Sequence, residues 1–156
     1  MFPYKKILVT IDYSENSDVI FKKLETICKN DGIRRNDDVT FILFHVVERD
    51  LPTLMGASQN EAISYNREWS LEEIKLKDNA KMQLEKKAKN YKLGRVKYEA
   101  EVGVPRMSIL FMAKRHNVDL IIVGAHGVHG FKKILGSTAQ SILNNATCDV
   151  LAVHNK

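Results

Sequence analysis

Cysteine is nearly absent from these 156 residues: only Cys28 and Cys148 occur, far apart and in no C-x-x-C pair. That excludes a disulfide framework and a thiolate zinc site, and it suits a reducing compartment. No histidine pair sits at metal-ligand spacing beside either thiol. Proline occurs three times and tryptophan once, so neither a polyproline segment nor an aromatic platform for single-stranded nucleic acid is present. No apolar run approaches the roughly 20 residues that cross a bilayer. The opening M-F-P-Y-K-K-I-L-V-T lacks the apolar core and small-residue cleavage site of a secretory signal. The expectation is a soluble, cytoplasmic chain with no membrane partner.

Charge of one sign is also scarce. The net charge of +5 comes from 24 basic against 19 acidic residues, and much of it lies in mixed-sign stretches such as Lys75 to Lys97. Such a stretch reads as a solvated face, so no nucleic-acid partner is expected. Repeats, low-complexity tracts and interdomain linkers are missing, and residues 1–156 are expected to form one domain of ordinary size.

What is present is an alternation of two periodicities. Lys6 to Asp12, K-I-L-V-T-I-D, and Val39 to Val47, V-T-F-I-L-F-H-V-V, are continuous apolar runs suited to strands buried on both faces. Between them Ile20, Leu24, Ile27 and Cys28 mark one face of a helix, with Ser14 and Ser17 as candidate N-caps. Glu48 to Asn66, with Pro52 and Gly56, is expected to be a long loop. Helical spacing returns at Trp69, Leu76, Ala80, Leu84, Ala88 and Tyr91. Val96, Tyr98, Ala100 and Val102 then alternate with Lys97, Glu99 and Glu101, the signature of an edge strand with one solvated face. Gly103 and Pro105 lead into a helix bearing Ile109, Met112, Ala113 and His116. Asp119 to Val123 and Val150 to His154 complete a count of five strands and four helices. Alternation of this kind predicts an α/β fold, a doubly wound parallel sheet with helices on both faces.

The richest stretch is D-L-I-I-V-G-A-H-G-V-H-G-F-K-K-I-L-G-S, Asp119 to Ser137. A buried strand runs into Gly124, Gly127 and Gly130, and Gly136-Ser137-Thr138 opens a helix. Glycines let the backbone turn tightly, and unpaired amides at a helix start favour an anion such as phosphate. Asp12, at the end of the first strand, is a candidate acceptor for ribose hydroxyls; it serves equally as a cap for the following helix. Ser137 likewise is a phosphate donor or only an N-cap. His126 and His129 read as loop residues without a third metal ligand, and His45 reads as a hydrogen-bonded core histidine. Lys132 and Lys133 lie within reach of a phosphate or are solvated.

The opening K-K-I-L-V-T-I-D-Y-S, the F-H-V of the second strand, the G-V-P at Gly103 to Pro105 and the G-A-H-G…G-S block followed by V-L-A-V together resemble the universal stress protein family. The resemblance covers nearly the whole chain outside the Glu48 to Asn66 loop. It implies a sheet of order 3-2-1-4-5 and a homodimer paired through the last strand, Val150 to His154. It also points to the ATP-binding branch, whose glycine pattern is G-x-x-G, nine residues, then G followed by Ser or Thr. Here eight residues, Val128 to Leu135, separate Gly127 from Gly136.

Carried over by resemblance, Thr10, Ile11 and Asp12 lie near adenine and ribose, and Val46 lines the adenine pocket. Val123, Gly124, His126 and Gly127 follow ribose and triphosphate, while Gly136, Ser137 and Thr138 face the phosphates. The implied ligand is ATP with Mg²⁺, the metal having no site from protein alone. The implied role is a regulatory stress-response module with an unknown protein partner. Two alternatives stay open: a non-nucleotide interaction protein of the same fold, and a slow ATP hydrolase. The latter lacks a Walker-type lysine and a convincing base, and no catalytic residue is assigned.

Overall fold

Lys6–Thr10 forms strand β1 because Ile7, Leu8 and Val9 are stiff or bulky apolar residues that bury on both faces, and each is wholly inaccessible. The structure, a computed structural model, describes residues 3–30, 39–48, 59–125 and 135–154, with side chains described from residue 70 onward in the third of these segments. After β1 come α1 (Glu15–Asn30), β2 (Thr40–Glu48), α2 (Gln59–Ala88), β3 (Arg95–Gly103), α3 (Pro105–His116), β4 (Leu120–Ala125), α4 (Ser137–Asn145) and β5 (Asp149–His154). The five strands make one parallel sheet of order β3-β2-β1-β4-β5. That is the expected order, and the alternating Val96 to Val102 segment is the expected edge.

The sheet separates two apolar layers. Ile20, Phe21, Leu24 and Cys28 of α1, with Leu84 and Ala88 of α2, cover Ile7, Val9, Phe41, Leu43 and Ile122. On the other face Ile109, Met112 and Ala113 of α3, with Ala139 and Ile142 of α4, cover Leu8, Ile42, Phe44, Ile121 and Val123. Odd and even residues of β1 and β2 thus go to opposite layers, as a pleated strand requires. Each large side chain buried this way contributes about 1.5–3 kcal/mol.

The helix ends follow local chemistry. Pro105 opens α3 at its first turn, where a missing N–H costs nothing, and Asn117 closes it in the left-handed conformation (φ 49, ψ 58). Lys114, Arg115 and His116 place positive charge at the carboxyl end of its dipole. Of the two serines expected to cap α1, Ser14 directly precedes the helix and its carbonyl accepts the Ser17 N–H at 3.0 Å. Ser17 lies inside the first turn and is fully buried.

One expectation fails. The loop from Glu48 to Asn66 is shorter than its composition suggests, because α2 already begins at Gln59. No proline or glycine interrupts the chain from Ala57 to Leu93, and from Leu71 onward Leu, Glu and Lys, good helix formers, are frequent, so nothing in the sequence stops the helix from extending back to Gln59. Among the described residues no helix is long and apolar enough to cross a membrane.

Candidate functional site

β1 is the strand from which the sheet is wound both ways, since β2 and β4 flank it and their order numbers diverge. The chain leaves the carboxyl ends of β1 and β4 toward opposite faces, which leaves a crevice there. A cavity of about 510 Å³ occupies that crevice, a size that suits a small-molecule ligand. It is lined by Thr10, Ile11 and Asp12 after β1, by Phe44 to Glu48 of β2, and by Val123 and Gly124 of β4. Gly136, Ser137, Thr138 and Ala139 close it from α4, and Pro105 and Ile109 from α3.

Of the residues singled out from sequence, Thr10, Ile11, Asp12, Val46, Val123, Gly124, Gly136, Ser137 and Thr138 therefore line one cavity. His126 and Gly127 lie outside the described residues, as do His129, Lys132 and Lys133. The contributions differ in kind. Ile11 and Val123 are 2% and 4% exposed and their side chains belong to the core layers, so they offer the cavity mainly backbone. The Thr10 hydroxyl donates to the Ile122 carbonyl at 3.2 Å, tying the β1 tip to β4.

Asp12 takes up the capping role that its sequence context allowed, at the border of the cavity. Its Oδ1 accepts from the Ser14 amide at 3.0 Å, the Ser14 hydroxyl at 2.6 Å and, at a long 3.4 Å, the Ser17 hydroxyl. The carboxylate is thereby fixed by the first turn of α1 while it borders the cavity. The next residue, Tyr13, takes a left-handed backbone (φ 60), costly for a bulky side chain. Two contacts and partial burial surround that strain. The Tyr13 hydroxyl donates to the Ala80 carbonyl of α2 at 3.1 Å, its ring packs 4.5 Å from that of His45, and burial pushes its pKa up to about 12.

The α4 side has the opposite electrostatic character. Gly136 stands at the N-cap with φ −61 and ψ 155, and among the described residues no side chain caps the helix. The first amides of a helix have no intrahelical acceptor, so those of α4 present positive dipole density where Gly136 to Ala139 meet the cavity. Gly124 behaves differently from expectation. A Cβ there would meet Ile20 Cδ1 at 3.5 Å and Asn16 Cβ at 3.7 Å, ordinary contacts on the α1 side. Its missing side chain thus clears no space for a ligand; what faces the cavity at this position is backbone.

Sequence reasoning missed four participants. His45 was expected in the core, yet it is half-buried in the cavity wall, and its hydrogen bond is to the Ile11 carbonyl at 2.6 Å. Glu48 ends β2 and is exposed at the cavity; register with Gly103 in β3 then brings Pro105 alongside. Asn16, 8% exposed, donates through Nδ2 to the Ala125 carbonyl at 3.4 Å and steadies the exit of β4. The F-H-V and G-V-P signatures contained His45 and Pro105, but only the fold shows that both line one cavity. Among the described residues no cluster of three His, Cys, Asp or Glu side chains can hold a metal ion.

A parallel sheet wound both ways from a central strand, with a cavity where the order reverses, defines a doubly wound α/β fold. The sequence profile of the Universal stress protein family matches residues 3–154, and the chain belongs to that family. It is 34% identical over 153 residues to Universal stress protein A homolog 1 of Coxiella burnetii, covering 98% of each chain. The solved structure of Universal stress protein MJ0577 from Methanocaldococcus jannaschii superposes with a TM-score of 0.69 at 28% identity, covering 99% of both chains. Two more distant structures, each 18% identical, share the fold: a universal stress protein in complex with cAMP (TM-score 0.59, covering 97% of both chains) and a family member from Arabidopsis thaliana with AMP bound (TM-score 0.54, covering 97% of this chain and 92% of that one).

Proposed function

We propose that this chain is a nucleotide-binding regulatory module of the stress response, taking ATP with Mg²⁺ in the cavity beyond β1 and β4. The observation that carries the reading is one hollow with an acidic strand tip, Asp12, on one side and the uncapped N-terminus of α4 on the other. A nucleotide presents both complements, hydroxyl and amine donors at one end and anionic oxygens at the other. The apolar wall around Val46, Pro105 and Ile109 suits a base, and the amides and hydroxyls of Ser137 and Thr138 suit phosphate. Adenine nucleotides in two family neighbours of the same fold support the choice. Mg²⁺ travels with the triphosphate in this reading, since among the described residues no cluster of three His, Cys, Asp or Glu side chains forms a protein site for it.

Assembly follows from the sheet edge. β5 pairs only with β4 among the described residues, and Val150, Leu151 and Ala152 are half-buried on it. An open edge of this kind pairs readily with a second copy, so the module works as a homodimer through Val150 to His154 in the cytoplasm. Leu151→Asp is expected to shift the molar mass in sedimentation from dimer to monomer.

Isothermal titration with Mg-ATP tests the main reading. Bound at 100 times its Kd, ATP stabilises by about 2.7 kcal/mol, a rise in Tm of roughly 5–11 °C for a chain of this length. Neither heat nor a shift up to millimolar ATP would leave the competing reading, an interaction protein without nucleotide, which the eight residues between Gly127 and Gly136 favour. Hydrolysis is not part of the proposal.

A further inference from the structure

The imidazole of His45 carries a chemical commitment that the family fold alone does not dictate. Its Nδ1 lies 2.6 Å from the Ile11 carbonyl. A carbonyl oxygen only accepts, so Nδ1 holds the proton, and in the neutral ring Nε2 is then a lone-pair acceptor. Beyond that bond, the ring packs against the Tyr13 ring at 4.5 Å and 51°, and His45 makes no other side-chain hydrogen bond among the described residues. No buried side-chain nitrogen or oxygen among the described residues lacks a partner. Nε2 therefore lies on accessible surface, and His45 belongs to the cavity wall. The ring is also held in place, by Ile11 at one edge and by Tyr13, whose hydroxyl is pinned to Ala80 of α2.

Resting on the nucleotide reading above, we propose that His45 is a specificity residue of the cavity, its Nε2 accepting a hydrogen bond from an N–H or O–H donor of the bound nucleotide. A fixed acceptor costs little reorganisation on binding, so it discriminates strongly against a ligand that lacks the matching donor. Two donors of ATP have this chemistry, the exocyclic amine of the base and a ribose hydroxyl, and analogues tell them apart.

The experiment titrates ATP, 2′-deoxyATP, 3′-deoxyATP and the 6-desamino analogue purine riboside triphosphate into wild type, His45→Asn and His45→Gln. Asparagine keeps a donor near the Nδ1 position and deletes the Nε2 acceptor; glutamine extends an acceptor to about the Nε2 position. Expected for His45→Asn is a loss of roughly 2- to 13-fold in ATP affinity, the size of one neutral hydrogen bond. One analogue, the one missing the partnered donor, should bind wild type as weakly as the variant does and be indifferent to the substitution. Glutamine should recover most of the loss. In wild type, the ¹⁵N signal of His45 Nε2 should move when ATP is added, a readout needing no substitution. Equal losses for all four nucleotides, or no loss for any, together with an unmoved Nε2 signal, overturns the assignment while leaving ATP binding intact. Absence of ATP binding by wild type instead overturns the nucleotide reading itself, and this inference with it.

Discussion

Tyr13→Phe removes one oxygen and leaves the backbone sequence of the β1 exit unchanged, so it isolates what the hydroxyl does there. The left-handed conformation at φ 60 costs about 1–2 kcal/mol in an L-residue with a large side chain. The hydroxyl's 3.1 Å bond to Ala80 O and the ring's packing on His45 oppose that cost. Ala80 lies within α2, where its carbonyl also serves the helix ladder, so deleting the hydroxyl orphans no acceptor. The expected loss at pH 8 is consequently near the middle of the neutral range, about 1 kcal/mol, or some 2–4 °C in Tm. The pH dependence gives an independent check. Burial raises the Tyr13 phenol from 10.0 to about 12. Below pH 10 it is neutral both folded and unfolded, and its contribution is complete. Between pH 10 and about 12 the unfolded chain releases the proton while the folded one retains it, so stability falls as pH rises. Tyr4, Tyr91 and Tyr98 are also raised, Tyr4 chiefly by its hydrogen bond to Asp149 and the other two chiefly by burial. They are common to both proteins and cancel in the difference. Urea melts of wild type and Tyr13→Phe from pH 8 to 12 should thus show a gap that is constant to pH 10 and then closes. A gap absent at pH 8, or one that stays constant to pH 12, would refute the clasp between the β1 exit and α2.

Ser137→Pro should leave the fold intact and weaken Mg-ATP binding at least tenfold by calorimetry. Ser137 is the first residue of α4, where proline is tolerated, and Gly136 already has the extended ψ of 155 that a following proline demands; only the amide and hydroxyl facing the cavity are lost. Gly124→Ala should raise thermal stability by up to about 1 kcal/mol, because its Cβ meets Ile20 and Asn16 at ordinary distances, and nucleotide affinity should not change. Leu84→Ala, at a wholly buried position of α2, should lower stability by about 2–5 kcal/mol in chemical denaturation.

The strands were legible because burial on both faces leaves an unbroken β-branched run, as in Ile7 to Val9, and burial on one face leaves alternation, as in Val96 to Val102. Sheet order came from the family resemblance, since periodicity says which faces are apolar and nothing of which strands adjoin. The start of α2 was not legible for a related reason. Among its described side chains, those of residues 70–79 include no buried one, and burial becomes regular at Ala80, Leu84 and Ala88, so residues 70–79 carry no strong apolar stripe to read. Asp12 and Ser137 were recognisable because strand ends and helix starts have local chemistry. His45 was not, since its role depends on Ile11 and Tyr13, 34 and 32 positions away, and an apolar neighbourhood in sequence gave no sign of a cavity. Gly124 was recognisable from the end of its apolar run, although a Cβ there would meet α1 only at ordinary distances.

The topology also orients whatever enters. Asp12 and Glu48 end β1 and β2, on one side of the crevice, whereas the open helix start of α4 follows β4 on the other. A phosphate directed at the β2 side meets two carboxylates and no compensating amides; directed at α4 it meets dipole-aligned N–H groups. On the proposed nucleotide reading, one orientation of the ligand therefore satisfies both ends. That polarity is set by the strand order, while the choice among ligands of this shape falls to the few side chains that the order brings together, Asp12, His45 and Glu48. Changing the sign at one of them tests the division directly. Glu48→Lys should tolerate the exposed substitution without loss of stability, yet weaken the preference for a single orientation, seen as reduced discrimination between ATP and inorganic triphosphate in competition titrations. Unchanged discrimination would mean that the α4 dipole alone aligns the ligand.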